Sequence, residues 1–285
     1  MSRTLVQAWS GARDRLKAAG IESPVIDARI LLESAAEASR MDIVTDPYRI
    51  LTEEQVATLD TYLDRRERRE PVARIIGKRG FWKILLNVDS NVLIPRPDTE
   101  VVVERALASF DEHEAFRILD LGVGSGAILL AILAERPRAT GLGIDVSEEA
   151  LAVARDNAAH LGLESRIALL RGDWTTGLGD GGFDLVVSNP PYIPTAVIET
   201  LEPEVRDHEP RLALDGGEDG LDAYRLLAPE ILRVLKPGGR FLVEIGYDQA
   251  EAVDALFRDA GAIAVTVIKD LANKDRVVAG VRSPV

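Results

Sequence analysis

Arg117-Ile-Leu-Asp-Leu121 runs straight into Gly122-Val-Gly-Ser-Gly126, which opens onto Ala127-Ile-Leu-Leu-Ala-Ile-Leu-Ala-Glu135. The first stretch reads as a short strand, the glycines as a tight turn and the third as a helix. Glycines at such a turn let the backbone come close to a ligand. The helix N-terminus behind them offers unpaired N–H groups to an anion. Gly141–Val146 is the next strand, and Asp145 near its end follows Gly126 by 19 residues. A carboxylate there is placed to accept both hydroxyls of a ribose.

Outward from this unit the same alternation continues. Helix Glu148–Leu161, strand Arg166–Arg171, strand Phe183–Ser188, helix Leu221–Leu235, strand Arg240–Ile245 and helix Gln249–Ala260 follow, and strands Ile263–Ile268 and Arg276–Val281 close the chain. Phe183–Ser188 is apolar enough for burial on both faces. Alternation of this kind predicts an α/β, Rossmann-like, mostly parallel sheet.

Upstream the period changes. Residues 1–72 read as helical, with Trp9, Leu16, Ile26, Ile30 and Leu31 at helical spacing. Ser23-Pro24 marks one helix start and Thr52-Glu-Glu-Gln55 a capping box at another. The run Arg65-Arg-Glu-Arg-Arg-Glu70 is read as a solvated helix face. Residues 73–97 look like short strands, Ile75-Ile76, Phe81–Leu86 and Val92–Ile94, forming a hairpin linker to a domain over 98–285. Residues 195–218 show almost no helical or strand period. A segment of that length is usually functional or disordered.

Composition narrows the chemistry. The 285 residues contain no cysteine, which excludes disulfides, thiolate metal sites and a cysteine nucleophile. His113, His160 and His208 are far apart, so no metal site is expected. The net charge is −13, with residues 1–72 near −2 and the remainder near −11. Such a chain does not attract a phosphate backbone in bulk, so direct nucleic-acid binding is not expected. No apolar run suits a membrane span or a signal peptide, and the expected compartment is the cytoplasm.

The glycine loop alone leaves two cofactors open. Gly122, Gly124 and Ala127 fit a dinucleotide fingerprint, and the same segment fits an S-adenosylmethionine loop. A tight turn without a ligand is the third reading, disfavoured by the strand, helix and Asp145 together. Ser188-Asn-Pro-Pro-Tyr192 decides among them. It directly follows a strand, where open α/β sheets bind ligands. Its prolines fix the backbone and remove two N–H donors, leaving the Pro190 carbonyl as an acceptor. The Asn189 side-chain oxygen is a second acceptor. Two adjacent acceptors match an NH₂ group, and the Tyr192 ring can pack on a planar substrate. Asn189, Pro190 and Tyr192 are therefore the candidate catalytic residues. With Pro191 they form a receptor for an amide or an exocyclic base amine. A structural Pro-Pro turn is the bland alternative.

These motifs resemble the HemK/PrmC family, the release factor glutamine methyltransferases, and the resemblance spans nearly the whole chain. It rests on Leu93-Ile-Pro-Arg-Pro-Asp-Thr-Glu100, the glycine loop, Gly172-Asp-Trp174 and Asn189-Pro-Pro-Tyr-Ile193. It extends to Leu212-Ala-Leu-Asp-Gly-Gly-Glu-Asp-Gly-Leu221 and Leu235-Lys-Pro-Gly-Gly239. It implies a class I methyltransferase domain, with a seven-stranded sheet containing one antiparallel strand, behind a small N-terminal helical domain for substrate recognition. It implies S-adenosyl-L-methionine held by Gly122, Val123, Gly124, Ser125, Gly126, Asp145, Trp174 and Asn189. It implies a glutamine of a class I peptide chain release factor held by Asn189, Pro190, Pro191 and Tyr192. Asn273 stands where the family often has glycine, a position where asparagine also tolerates a left-handed turn.

An amide nitrogen is a weak nucleophile, so the expected mechanism is placement of nitrogen against methyl with water excluded. Asp98, Glu100 and Glu244 are read as structural groups. The competing functions are N6-adenine methylation of nucleic acid, glutamine methylation of a ribosomal protein, and a silent cofactor-binding scaffold.

Overall fold

The computed structural model describes residues 3–284. The chain divides into two units, Met1–Lys78 with Glu202–His208, and Arg79–Leu201 with Glu209–Val285. The first is helical: α1 (Leu5–Ala18), α2 (Pro24–Ala35), α3 (Arg40–Thr45), α4 (Glu53–Glu67) and α5 (Val72–Ile76). Leu5, Leu16, Leu31, Leu32, Leu59 and Leu63 build its core. Capping boxes start α1 at Thr4, α3 at Ser39 and α4 at Thr52, each satisfying two otherwise unpaired groups. Pro24 does start α2, but the Ser23 side chain makes no capping bond.

The arginine run at the end of α4 corrects its sequence reading. Arg66 is buried, not solvated. Its Nε donates to Asp27 Oδ2 at 2.8 Å and its Nη1 to Glu204 Oε1 at 3.0 Å. Arg65 pairs with Glu70, and Arg69 Nη2 donates to the Gly20 carbonyl at 3.1 Å. The run turns inward because carboxylates on α2 and on the returning segment 202–208 meet it. Removing one partner of a buried pair strands the other charge, so Arg66→Ala should cost about 3 kcal/mol. Urea unfolding of the helical unit reads this directly. An unchanged midpoint would mean that the pair does not hold the unit together.

Other elements differ from their sequence reading for local reasons. Ile75-Ile76 lies in α5, entered from Pro71 and closed by Gly77 at φ 70, and not in a strand. Phe81–Leu86 is two strands, β1 (Lys78–Phe81) and β2 (Ile84–Asn87), because the chain turns at Trp82, whose φ is 52. Val92–Ile94 forms no strand. The Ile94 N–H is satisfied instead by Glu209 Oε2 at 3.2 Å.

The second unit continues with α6 (Glu100–Ala108), β3 (Arg117–Leu121), α7 (Ala127–Glu135), β4 (Thr140–Asp145), α8 (Glu148–His160), β5 (Ile167–Arg171) and β6 (Phe183–Ser188). Residues 195–218 are not structureless. They contain α9 (Thr195–Ile198), α10 (Pro203–Arg206) and a 3-10 turn at Arg211–Ala213, each too short to show a period in sequence. Then come α11 (Asp222–Val234), β7 (Leu235–Glu244), α12 (Ala250–Asp259), β8 (Ala262–Lys269) and β9 (Asp275–Arg282). The seven-stranded sheet has the order β5-β4-β3-β6-β7-β9-β8, parallel except that β9 runs antiparallel to both neighbours. Apolar layers cover it, one built on α7 with Leu129, Leu130 and Leu133, the other on α11 and α12 with Leu227, Ile231 and Phe257. Strand order reverses between β3 and β6. Such switch points open a crevice at the carboxyl ends of the strands.

Candidate active site

A cavity lies at that crevice, within the sheet unit. Gly122, Val123, Gly124, Ser125, Asp145, Trp174, Asn189 and Pro191 line it, joined by Pro95, Arg96, Thr99 and Asp120. Gly126, Pro190 and Tyr192 are not in its wall. Gly126 is the N-cap of α7, at φ 84. The loop folds back over β4, since the N–H groups of Gly122 and Val123 both donate to the Ile144 carbonyl at 2.9 Å. Asp145 fixes it further: Oδ2 accepts from Gly124 N–H at 2.9 Å and Oδ1 from Ser147 N–H at 3.0 Å. A carboxylate has about four acceptor positions, so these bonds leave room for two hydroxyls. Trp174 is held at φ 50, a backbone conformation unusual for a bulky residue and concentrated at ligand sites.

Asp120 leads into the glycine loop, and the sequence alone gives it no role. It is 1% exposed, and neither carboxylate oxygen meets a hydrogen-bond partner in good geometry among the described residues. Burial pushes its carboxyl up to about 7, with Asp145 adding repulsion. An orphaned carboxylate in a cavity wall suits a cation. The ammonium of the methionine part of S-adenosylmethionine is one. A dinucleotide pyrophosphate would instead bring more negative charge beside Asp120 and Asp145, where Leu121–Ala127 offers no basic side chain. The site therefore fits S-adenosylmethionine.

Two outcomes follow from this geometry. Burial favours the protonated form of Asp120 below about 7, and pairing with an ammonium would need the carboxylate. Cofactor affinity should therefore fall as pH drops below that value, by up to roughly tenfold per unit, and fall again well above about pH 8 as the ammonium loses its proton. Titration calorimetry across this range checks the sign, and a flat profile would reject the pairing. Asp145→Ala should weaken cofactor binding by roughly ten- to a hundredfold, the worth of charge-assisted hydrogen bonds. Unchanged affinity in the same measurement would remove Asp145 from the site.

The second half of the site begins where β6 ends. Ser188 Oγ donates to the Leu121 carbonyl at 2.7 Å, tying this end to the glycine loop. Asn189 Nδ2 donates to Thr99 Oγ1 at 3.4 Å. Tyr192 OH donates to Glu244 Oε1 at 3.4 Å, and burial raises the phenol's pKa, so it stays a neutral donor. Burial also pushes the Glu244 carboxyl up to about 7, while Thr99, Arg276 and Tyr192 pull it back.

The glycine-rich segment 212–221 lies directly against the Asn189–Ile193 stretch. Ile193 N–H donates to the Leu214 carbonyl and Gly216 N–H to the Ile193 carbonyl, both at 2.9 Å. Gln249 Nε2 clasps the Tyr192 carbonyl at 3.0 Å and the Gly220 carbonyl at 3.2 Å. A Cβ on Gly216 would stand 2.8 Å from Tyr192 Cα and 2.9 Å from the Pro191 oxygen. Backbone therefore packs on backbone, and the glycines are needed for closeness. Thr99, Glu244 and Gln249 were not assigned to the site from sequence. The only signal in the sequence is position, Thr99 within Leu93–Glu100 and Glu244 at the end of a strand.

Comparison with known proteins agrees with this geometry. The PrmC N-terminal domain family matches residues 7–77 and a methyltransferase domain family matches residues 112–276. The release factor glutamine methyltransferase of Caulobacter vibrioides is 70% identical over 284 residues, covering 100% of this chain and 98% of that protein. The protein of the same name from Rhodospirillum rubrum is 48% identical, covering 92% of this chain and 80% of its own length. Among solved structures, a methyltransferase from Pyrococcus furiosus shares the fold with a TM-score of 0.52 at 18% identity, over 70% of this chain and 88% of that one. With near-complete coverage at such identity, the chain belongs to the release factor glutamine methyltransferase family.

Proposed function

We propose that this enzyme transfers a methyl group from S-adenosylmethionine to the side-chain amide nitrogen of the glutamine in the Gly-Gly-Gln motif of class I peptide chain release factors. The observation that carries this reading is the pairing of a cofactor cavity with the Asn189–Tyr192 receptor at adjoining strand ends. When bound, S-adenosylmethionine supplies an electrophilic methyl on a sulfonium and requires no metal. Asp120 would hold its ammonium, Asp145 its ribose and Trp174 its flank. Asn189 Oδ1 and the Pro190 carbonyl would accept the two N–H bonds of the substrate amide. Those acceptors orient the nitrogen lone pair and stabilise the positive charge that grows on nitrogen during transfer. The neutral Tyr192 side chain would pack near the planar amide. The nitrogen becomes acidic once methylated and can release its proton without a base in place beforehand.

Protein recognition is assigned to the N-terminal helical domain and to the segment 195–218. The helical unit leaves Val25, Ile26, Met41, Val44, Tyr48 and Ile50 exposed, apolar surface of the kind a protein partner covers. The net charge of −13 supports a protein over a nucleic acid as substrate. No helix among the described residues is long and apolar enough to cross a membrane. The proposed place of action is the cytoplasm, where release factors work. The test offers labelled cofactor to intact release factor, to ribosomal protein and to free nucleic acid. The expected result is a mass gain of one methyl on the peptide containing Gly-Gly-Gln. Label in adenine or in ribosomal protein instead would replace this reading with the corresponding alternative.

A further inference from the structure

We propose that Arg96, anchored by Glu209, receives the carboxylate of the cofactor's methionine part; this rests on reading the cavity as the S-adenosylmethionine site. The need for such a group is chemical. The methionine part carries a carboxylate and an ammonium on the same carbon. Asp120 and Asp145 in the cavity wall suit the ammonium and the ribose, and both repel the carboxylate. Among the described residues that line the cavity, Arg96 alone has a basic side chain. The glycine loop is the other candidate receiver, and its donors are largely taken. Gly122 and Val123 N–H groups donate to the Ile144 carbonyl at 2.9 Å, and Gly126 N–H to the Val123 carbonyl at 2.8 Å. Gly124 N–H donates to Asp145 Oδ2 at 2.9 Å. Each of these bonds must open before its N–H can serve an anion.

Arg96 also approaches from the side that this role needs. Asp145 at the end of β4, Asp120 in β3 and Asn189 after β6 follow one another across the sheet. Asn189 Nδ2 donates to Thr99 Oγ1 at 3.4 Å, and Thr99 N–H donates to the Arg96 carbonyl at 3.1 Å. The turn that carries Arg96 thus meets the wall at Asn189, one strand from Asp120 and two from Asp145. The side chain is anchored without being used up. Arg96 Nη2 donates to Glu209 Oε1 at 2.9 Å, while Glu209 Oε2 accepts from Ile94 N–H at 3.2 Å. The Glu209 side chain is fully buried and that of Arg96 is 40% exposed. A guanidinium presents several N–H donors in a planar fork, so a bond through Nη2 sets its direction and leaves donors for a second carboxylate. Arg79 Nε donates to the Pro95 carbonyl at 3.1 Å, which fixes the chain just before Arg96. Pro95 and Pro210, next to Arg96 and Glu209 in sequence, both line the cavity.

The test is titration calorimetry of the full-length protein with two probes, at a pH where Asp120 is ionised. One probe is S-adenosylmethionine. The other is its decarboxylated form, which keeps the sulfonium, the ribose and the ammonium and lacks only the carboxylate. The unaltered protein should prefer the first by roughly ten- to a hundredfold, the worth of a charge-assisted hydrogen bond. In Arg96→Met the preference should vanish, because S-adenosylmethionine weakens while the decarboxylated form does not. That change leaves Glu209 buried with one partner fewer. Arg96→Met combined with Glu209→Gln removes both charges and strands neither, and it should lose the same preference. If the preference persists in the variants, whether neither affinity moves or both weaken together, Arg96 does not meet the carboxylate and the proposal is overturned. Equal binding of the two probes by the unaltered protein overturns it as well. The cofactor reading is judged separately. If the unaltered protein binds neither probe, that reading falls and the proposal with it. If it binds both and Arg96→Met keeps the preference, the cofactor reading stands and only the role of Arg96 falls.

Discussion

Asn189→Ala is expected to abolish measurable methyl transfer while cofactor binding weakens far less. In the proposed reading the side chain is one of two acceptors for the reacting nitrogen, and its contribution would grow as positive charge develops there. Loss of such a contact typically costs ~3 kcal/mol at the transition state, more than a hundredfold in rate. The effect should appear in kcat under saturating cofactor, measured with intact release factor. The fold should survive, since the Asn189 side chain is only partly buried. Turnover within a few-fold of the unaltered enzyme would remove Asn189 from the chemistry.

Gly220→Ala is expected to be nearly as damaging, although residue 220 reacts with nothing. Its φ is +77, and a Cβ would stand 2.3 Å from the Tyr192 carbonyl oxygen and 2.7 Å from Gln249 Nε2. The first neighbour is backbone and cannot swing aside, so the receptor must shift. Displacement of a reacting group by about 1 Å can cost on the order of a hundredfold in rate. Gly11→Ala is the control, since Gly11 has φ outside the left-handed region and nothing within 4 Å of a new Cβ. It should leave activity unchanged and stabilise α1 slightly. The comparison needs only steady-state rates and a thermal melt. Full activity in Gly220→Ala would mean that the packing of this segment on the receptor does not place it.

The sheet was legible because its signals are local and repeated. Asp120–Ala127 puts strand, turn and helix within a few residues, and β6 is apolar enough to declare its burial. The place of Asn189 at the end of β6, in the cavity wall, was legible because the Asn-Pro-Pro-Tyr stretch directly follows an apolar strand. What could not be read is what arrives from far along the chain. Phe81–Leu86 looked like one strand because its turn is carried by Trp82, a residue type that rarely marks one. Arg66 looked solvated because Asp27 and Glu204 stand 39 and 138 residues away. Asp120 stands out only through burial without a hydrogen-bond partner among the described residues, and Glu244 only through burial beside Tyr192. Helices of four residues, such as α9 and α10, are too short to imprint a period.

The return of Glu202–His208 to the helical unit bears on how such a protein can be divided or recombined. The helical unit is not a contiguous cassette. A deletion ending at residue 78 would remove Arg66 and leave the Glu204 carboxylate without its guanidinium partner. A graft of the first 78 residues onto a related sheet would import Arg66 with Asp27 but without Glu204, the second carboxylate that meets it. Chimeras between relatives should therefore work when 1–78 and 202–208 are exchanged together, and lose stability when only the first block is moved. Within the family, the two stretches are expected to be inherited as one module with a gap of more than a hundred residues between its parts.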